Sequence, residues 1–425
     1  MSEPRFRLTP PLASGNCQRC GLCLAVCPTY WDSGLETQSP RGRIALIMAA
    51  GRGDLAPSAN FRDQVYHCLD CRACSTVCPS GVRVGPTVTA ARAALTERRR
   101  LPLVQSLVLR HLLPHQGRLE ASLWPLKAYQ RLGLAWMLGH TPASRLLPSA
   151  VDAMRQLLPP LAARPLRGDI PEVTPAAVER RYRVGFFLGC AMSLLFPEVS
   201  RATVTVLSRH GCDVLTPPGI RCCGAIHESL GDRSTMLDLA RHNIAVFERA
   251  GVDAIVSDCA SCGLSAKEYG EWLADDPTYA ARARAYSAKA QDISEFLAAA
   301  GLPAEIPPLA TRVTYHDPCH LAHGQGVAAQ PRALLGRAPG ADYRELNEAS
   351  WCCGSAGLWG IGHAERSFRI LDRKMDNVQA TGADMLVTAN PGCLLQLRLG
   401  ARRRGLDLPV LHISQVLAGD APLGG

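Results

Sequence analysis

Two stretches of the chain repeat one alternation of apolar runs and amphipathic segments. The first reads as a strand RVGFFLGC, a helix PEVSRATVTVLSRHG, a strand CDVLTPP and a CCG turn. A helix around MLDLARHNIAVFERAG and a strand DAIVSDCASC follow. The second reads as a strand RVTYHDPCH, a helix near QPRALLG, a second CCG, a helix around ERSFRILDRKMDNVQATG and a strand DMLVTANPGC. Short apolar runs bounded by turn residues predict buried strands, and apolar positions recurring every three or four residues predict helices. Cys190 and Cys319 lie 129 residues apart, and Cys222 and Cys352 lie 130 apart. So steady an offset across separate motifs marks a duplication. Alternating strands and helices predict α/β layers with largely parallel strands. The cysteines fall just beyond strand ends, where open α/β sheets place ligands.

Upstream the pattern changes. Ser39 is a plausible N-cap, Pro40 suits a first helical position, Ile44, Ile47 and Met48 recur at helical spacing, and Gly51 can end the element. Further on, LPLVQSLVLRHLLPHQG and LWPLKAYQRLGLAWMLGH read as amphipathic helices broken by Pro114, Pro125 and Pro142. They are either a docking surface for a partner or membrane, or packing between domains. The expected architecture is mixed α and α/β. Residues 1–95 form a helical domain with two cysteine motifs, and 96–180 form a helical linker. Residues 181–305 and 306–425 form the two repeated units.

The 425 residues are 47% apolar, enough for several cores, but only 5% aromatic, so Leu, Val, Ile and Ala must carry the packing. The opening MSEPRFRLTPPLASGN has no apolar run, and no stretch reaches the length of a membrane span. We therefore expect a cytoplasmic protein, with peripheral placement on the inner face of the cytoplasmic membrane as a further expectation. In that reducing setting the 18 cysteines read as metal ligands rather than disulfides. The formal charge of +9 falls to about +5 once two thiolate-ligated cubanes of about −2 each are counted. The basic residues are scattered and no zinc-finger or RNP-type spacing occurs, which argues against nucleic acid as a partner.

Residues 17–28 read CQRCGLCLAVCP and residues 68–79 read CLDCRACSTVCP. Both are C-x2-C-x2-C-x3-C-P. Three cysteines of one loop can reach three irons of a cubane, but the loop is too tight for the fourth, which points to the neighbouring cluster. Cys17, Cys20, Cys23 and Cys78 then hold one [4Fe-4S] cluster, and Cys27, Cys68, Cys71 and Cys74 hold the other. Gly21, Ala73 and Ser75 are small enough to leave backbone N–H groups near cluster sulfur. A pair of four-cysteine zinc sites, with C-x2-C pairs separated by long loops, fits this run poorly.

The repeated units carry more cysteines. The first has Cys190, Cys222, Cys223, Cys259 and Cys262. The second has Cys319, Cys352, Cys353 and Cys393, with Gln396 where a last cysteine is expected. Adjacent cysteines suit a cluster presenting several irons better than one small ion, and the glycine of CCG permits close backbone approach. One additional iron–sulfur centre in the first unit is the expectation, with zinc, a redox dithiol or a partly filled site as alternatives. His227, His316, His320 and His323 stand near these cysteines. They read as loop-capping groups, with proton relay to a quinone-like acceptor as the alternative. Gly324-x-Gly326-x-x-Ala329 mimics a dinucleotide fingerprint but does not close a strand, and Pro331 follows at once.

The CCG pattern resembles the cysteine-rich domain of heterodisulfide reductase and of several respiratory iron–sulfur subunits. The full order of parts, with SPRGRI at 39–44, CPSGVRVG at 78–85, LGC at 188–190, YHDPCHL at 315–321, CCGSAG at 352–357 and NPGC at 390–393, is similar to the iron–sulfur subunit of glycolate oxidase over nearly the whole chain. That resemblance implies a subunit of a multi-subunit enzyme that oxidises glycolate to glyoxylate. FAD-binding partner subunits would take the hydride, and this chain would relay single electrons to a quinone or other membrane acceptor. It implies no catalytic residue in this chain. The same role beside a lactate, glycerol-3-phosphate or other 2-hydroxy-acid dehydrogenase is the alternative, as is a self-contained reductase resembling heterodisulfide reductase.

Overall fold

A computed structural model describes residues 16–98, 101–134, 149–159, 168–301 and 306–420, with Phe6, Met137, Thr141, Leu161 and Leu166. The N-terminal part is helical. Its helix Pro40–Arg52 starts as its sequence dictates: Ser39 Oγ accepts the Gly42 N–H at 2.9 Å, and Pro40 opens the first turn. Gly51 does not end it. The helix runs on to Gly53, whose left-handed conformation (φ 88°) lets its N–H close back on the Ala49 and Ala50 carbonyls. Ile44 and Ile47 pack with Phe61, Val65 and Val88 from helices Ala59–Tyr66 and Val84–Arg98.

In the linker, helix Leu103–Leu107 widens into a π-turn at Val108–Leu112, and Pro114 follows it. Pro125 sits in the first turn of helix Trp124–Arg131, where it starts rather than breaks the element. Pro142 lies outside the described residues.

Each repeated unit is a parallel sheet flanked by helices. In unit one the strands are β1 (Val173–Thr174), β2 (Tyr182–Phe186), β3 (Cys212–Leu215), β4 (Ala254–Ser257) and β5 (Ala290–Asp292), in the order β1-β3-β2-β4-β5. In unit two they are β6 (Arg312–Tyr315), β7 (Asp342–Arg344), β8 (Met385–Thr388) and β9 (Val410–His412), in the order β7-β6-β8-β9. The shared order β3-β2-β4-β5 and β7-β6-β8-β9, all parallel, is the duplication seen in three dimensions. Among the described residues, the antiparallel edge strand β1 is added to unit one alone.

The units pack reciprocally. The first long helix of unit one, Pro197–Arg209, lies on the last helix of unit two, Ile413–Ala418, and the last helix of unit one, Ile293–Ala299, lies on Ala329–Leu335 of unit two. One buried core holds Val204, Ile293 and Phe296 together with Leu334, Ile413 and Val416. Thr203 and Ser414 hydroxyls meet across it at 2.8 Å.

The N-terminal domain bridges both units. Tyr66 donates to the Leu230 carbonyl and Arg92 to the Ser229 carbonyl in unit one. Gly231 (φ 80°) approaches so closely that a Cβ there would sit 2.4 Å from the Arg92 carbonyl oxygen, so only glycine fits. On the other side, buried Asp32 pairs with Arg366 at 2.8 Å and Arg369 at 2.6 Å in unit two, and Trp31 meets Trp351 edge to face.

Candidate metal centres

The two N-terminal cysteine loops are congruent. Arg19 and Gly21 in the first, and Asp70 and Arg72 in the second, all have positive φ. Alternating left-handed residues turn successive N–H groups to one side, a geometry that favours anions. The counterpart of Gly21 is therefore Arg72, not the small Ala73. Its left-handed conformation is held by ion pairs to Asp70 at 2.9 Å and to Glu268 at 2.8 Å and Glu228 at 3.4 Å of unit one.

The loops exchange their last cysteines. One cavity is lined by Cys17, Cys20, Cys23 and Cys78, with Cys74 beside them. A second is lined by Cys27, Cys68, Cys71 and Cys74. Burial pushes the Cys71 and Cys74 thiols well up, aided by neighbouring cysteines. Such thiols ionise readily only against a cation, which suits thiolate ligands of a positively charged iron core. The donor set, its pairing and the inward N–H groups fit two [4Fe-4S] clusters, whose chemistry is one-electron storage and transfer.

In unit one, the strand ends bring all five candidate cysteines together. Cys190 starts helix Cys190–Leu195, Cys222 and Cys223 follow β3, and Cys259 caps helix Ala260–Trp272, its sulfur accepting the Cys262 N–H at 3.4 Å. The thiols form a hydrogen-bonded series Cys190, Cys222, Cys223, Cys262, Cys259. Hydrogen bonds from Cys222 and Cys262 hold the central Cys223 well below the usual thiol range. Leu119 of the linker packs on Cys190 and Cys222. Cys212, buried on β3, stays outside the series, and burial pushes its thiol up to about 12.

Unit two gathers Cys319, Cys352, Cys353 and Cys393. Cys353 and Cys393 sulfurs lie 3.6 Å apart, and Cys352 meets Cys319. The missing ligand is not where the spacing suggested. β4 and β8 place Cys259 opposite Asn390, since each residue precedes the first turn of the helix that follows its strand. Cys262 then matches Cys393. Gln396 is simply buried inside helix Pro391–Arg403, donating to Ser367 Oγ at 2.8 Å. Counting from Cys393 as though it were the first cysteine of the pair shifted the register by three residues, one helical turn.

The histidines divide. His227 bonds the Leu109 carbonyl at 2.7 Å, His320 joins Ser261 Oγ to the Asp70 carbonyl, and His323 joins Thr76 to the Ser350 carbonyl. These three tie loops together. His316 is fully buried, and both ring nitrogens lack a hydrogen-bond partner.

The second cubane loop and the unit-two pocket share one buried cluster: Leu69, Cys71 and Ala73 with Trp351, Cys352 and, at its edge, Cys319. The cysteine pockets thus adjoin one another along the domain boundary.

The comparisons with known proteins follow the same order of parts. Residues 13–82 match the 4Fe-4S dicluster domain, 184–267 and 313–398 the CCG cysteine-rich domain, and 100–158 the linker region of the glycolate oxidase iron-sulfur subunit. A Bacillus subtilis protein named "Probable glycolate oxidase iron-sulfur subunit" is 39% identical over 95% of this chain and 93% of its own length. The Escherichia coli glycolate oxidase iron-sulfur subunit is 30% identical over 91% and 90%. Lactate utilization protein A of an Exiguobacterium strain is 32% identical over 55% of this chain and 96% of its own length. The alternation of two cubane motifs, linker and paired cysteine-rich units, matched over 95% and 91% of the chain by the two glycolate oxidase relatives, places this iron–sulfur protein in the family of glycolate oxidase iron–sulfur subunits.

Proposed function

We propose that this chain is the electron-transfer subunit of a glycolate oxidase, taking electrons one at a time from FAD-bearing partner subunits and delivering them towards a membrane acceptor such as quinone. The observation that carries this reading is the adjacency of the cysteine pockets: Cys74 borders both cubane cavities, and Cys71 packs in one cluster with Cys352. The ligands for the first cubane would be Cys17, Cys20, Cys23 and Cys78, and for the second Cys27, Cys68, Cys71 and Cys74. The five cysteines of unit one would hold one additional iron–sulfur centre. Cys20 is exposed while Cys71 and Cys74 are buried, so the first cavity opens towards solvent and a docked donor. The chain's own residues hold the carriers at fixed separation and keep water from the inner one. A lactate or other 2-hydroxy-acid oxidase is the second reading, favoured by the similarity to the lactate utilization protein.

The linker supports peripheral attachment to the inner membrane face. Leu103, Val104 and Leu107 are exposed on one helix and Trp124 on another. Residues 100–158 carry seven Lys and Arg against two acidic residues. Exposed apolar side chains beside a basic surplus suit an anionic lipid surface. Among the described residues no helix is long and apolar enough to cross a membrane.

Anaerobic co-purification with its flavoprotein, followed by an EPR titration, tests the reading. Glycolate should reduce the clusters of the complex. Reduction by lactate but not glycolate would replace the first reading with the second.

A further inference from the structure

Unit two departs from unit one at two places in the same pocket. Asn390 stands where unit one has Cys259, removing a thiol. His316 stands where unit one has Phe187. The equivalence is fixed by the backbone: the Phe187 N–H donates to Val256 of β4 at 2.8 Å, and the His316 N–H donates to Val387 of β8 at 2.9 Å. Phe187 packs in an apolar cluster beside Cys223, Cys259 and Cys262 and stacks on Phe247. An imidazole in that place is costly unless something binds it, because burying an unbonded polar ring forfeits its hydration.

The partner it faces is a pair of thiols. One ring nitrogen of His316 and the sulfurs of Cys353 and Cys393 all lie within 4.8 Å of one another, and all three residues are buried. Cys352 lies between Cys353 and Cys319 and bonds to both, outside the trio that His316 completes. We infer that His316, Cys353 and Cys393 bind a single divalent ion of zinc-like preference, so that the two units hold centres of different kinds. The 3.6 Å between the two sulfurs suits a shared ion, since zinc–sulfur bonds of about 2.3 Å in a tetrahedron set sulfurs about 3.8 Å apart. Two thiols would each release a proton on binding. A dication, two thiolates and a neutral imidazole sum to zero charge, which a buried site tolerates. The fourth tetrahedral position is left for a water or small ligand, the arrangement of an open zinc site.

The test is metal analysis and zinc X-ray absorption on the full chain purified anaerobically. About one zinc per chain is expected beside the iron, with nitrogen as well as sulfur in its first shell. His316→Phe, which installs the residue of unit one, should lose the zinc while keeping the iron content and the EPR signals of the cubanes. Cys393→Ser should do the same, and serves if the histidine variant does not fold. Absence of zinc from the wild type, a zinc shell of sulfur alone, zinc retained by His316→Phe, or loss of iron in its place would each overturn the assignment. None of these outcomes bears on glycolate-dependent reduction, which tests the electron-transfer reading separately.

Discussion

Cys259 and Asn390, equivalent in the two units, face each other: the cysteine sulfur lies 3.7 Å from the Asn390 Oδ1, which also accepts from the Ser261 N–H at 3.2 Å and hydroxyl at 3.1 Å. The Asn390 Nδ2 reaches the Cys393 sulfur at 3.8 Å. One amide therefore links both pockets. Asn390→Ala would leave the Ser261 donors without their acceptor. A loss of about 1 kcal/mol is expected, read by chemical denaturation of the anaerobic protein, with the iron content unchanged. Unchanged stability would show that water replaces the amide.

Cys20→Ser should remove or convert the first cubane while the fold persists, because Cys20 is exposed and the Arg19 carbonyl of its loop is held by Arg41 at 3.0 Å. EPR should show one altered cubane and one intact. Glycolate-dependent dye reduction by the reconstituted complex should fall to background. Normal dye reduction would mean that electrons bypass this cavity.

Iron in the anaerobic protein should exceed the roughly 8 atoms that two cubanes require. If the five thiols of unit one hold a further centre, Cys222→Ser and Cys223→Ser should each bring the iron back to about 8. Titration of free thiols checks the converse: an empty pocket would leave these cysteines open to alkylation in the wild type.

Arg72 binds three buried or nearly buried acidic side chains, Asp70, Glu228 and Glu268. Arg72→Met would strand them at the boundary between the N-terminal domain and unit one. A loss of about 3–5 kcal/mol is expected, measured as lowered resistance to denaturant. A change under about 1 kcal/mol would show that the carboxylates are already neutral or hydrated.

The same cluster predicts a pH dependence. Burial, then Glu268, raises the Glu228 pKa from 4.5 to about 8, despite Arg72. Between these values the folded chain keeps a proton that the unfolded chain releases. Glu228 therefore contributes less stability as pH rises from about 4.5 to 8, and its contribution levels off above that. Glu228→Gln should flatten this part of a melting-temperature profile. An unaltered slope would place the titration elsewhere.

Much of this was legible in the chain. Ser39 and Pro40 announced their helix because a cap is a local interaction, and the repeated strands announced themselves because buried parallel strands are short apolar runs. How far a tight loop can reach predicts Cys78 beside the first loop and Cys27 beside the second, and Cys78 and Cys27 line the corresponding cavities; which cluster each ligates is left to the cysteine variants. Other features depend on contacts distant in sequence. β1, β5, β7 and β9 are two or three residues long and owe their existence to a neighbouring strand. Arg72 is left-handed because carboxylates from unit one hold it, which no local propensity reports. Asn390 was missed because cysteine spacing alone does not say which member of a pair was lost, whereas strand register does. His316 was visible as a residue but not as an unpartnered one.

The helices that each unit lends the other build one shared core, whereas Cys223, Cys259, Cys262, Cys353 and Cys393 belong to a separate cluster. Neither half completes its interior alone, so the duplicated halves are obliged to fold together. That dependence frees the pockets: a ligand can be exchanged at one, as thiol for amide at 390 and phenyl for imidazole at 316, while the mutual embrace that keeps both in place is untouched. Two copies of one ancestral half could in this way diverge in metal chemistry without diverging in shape.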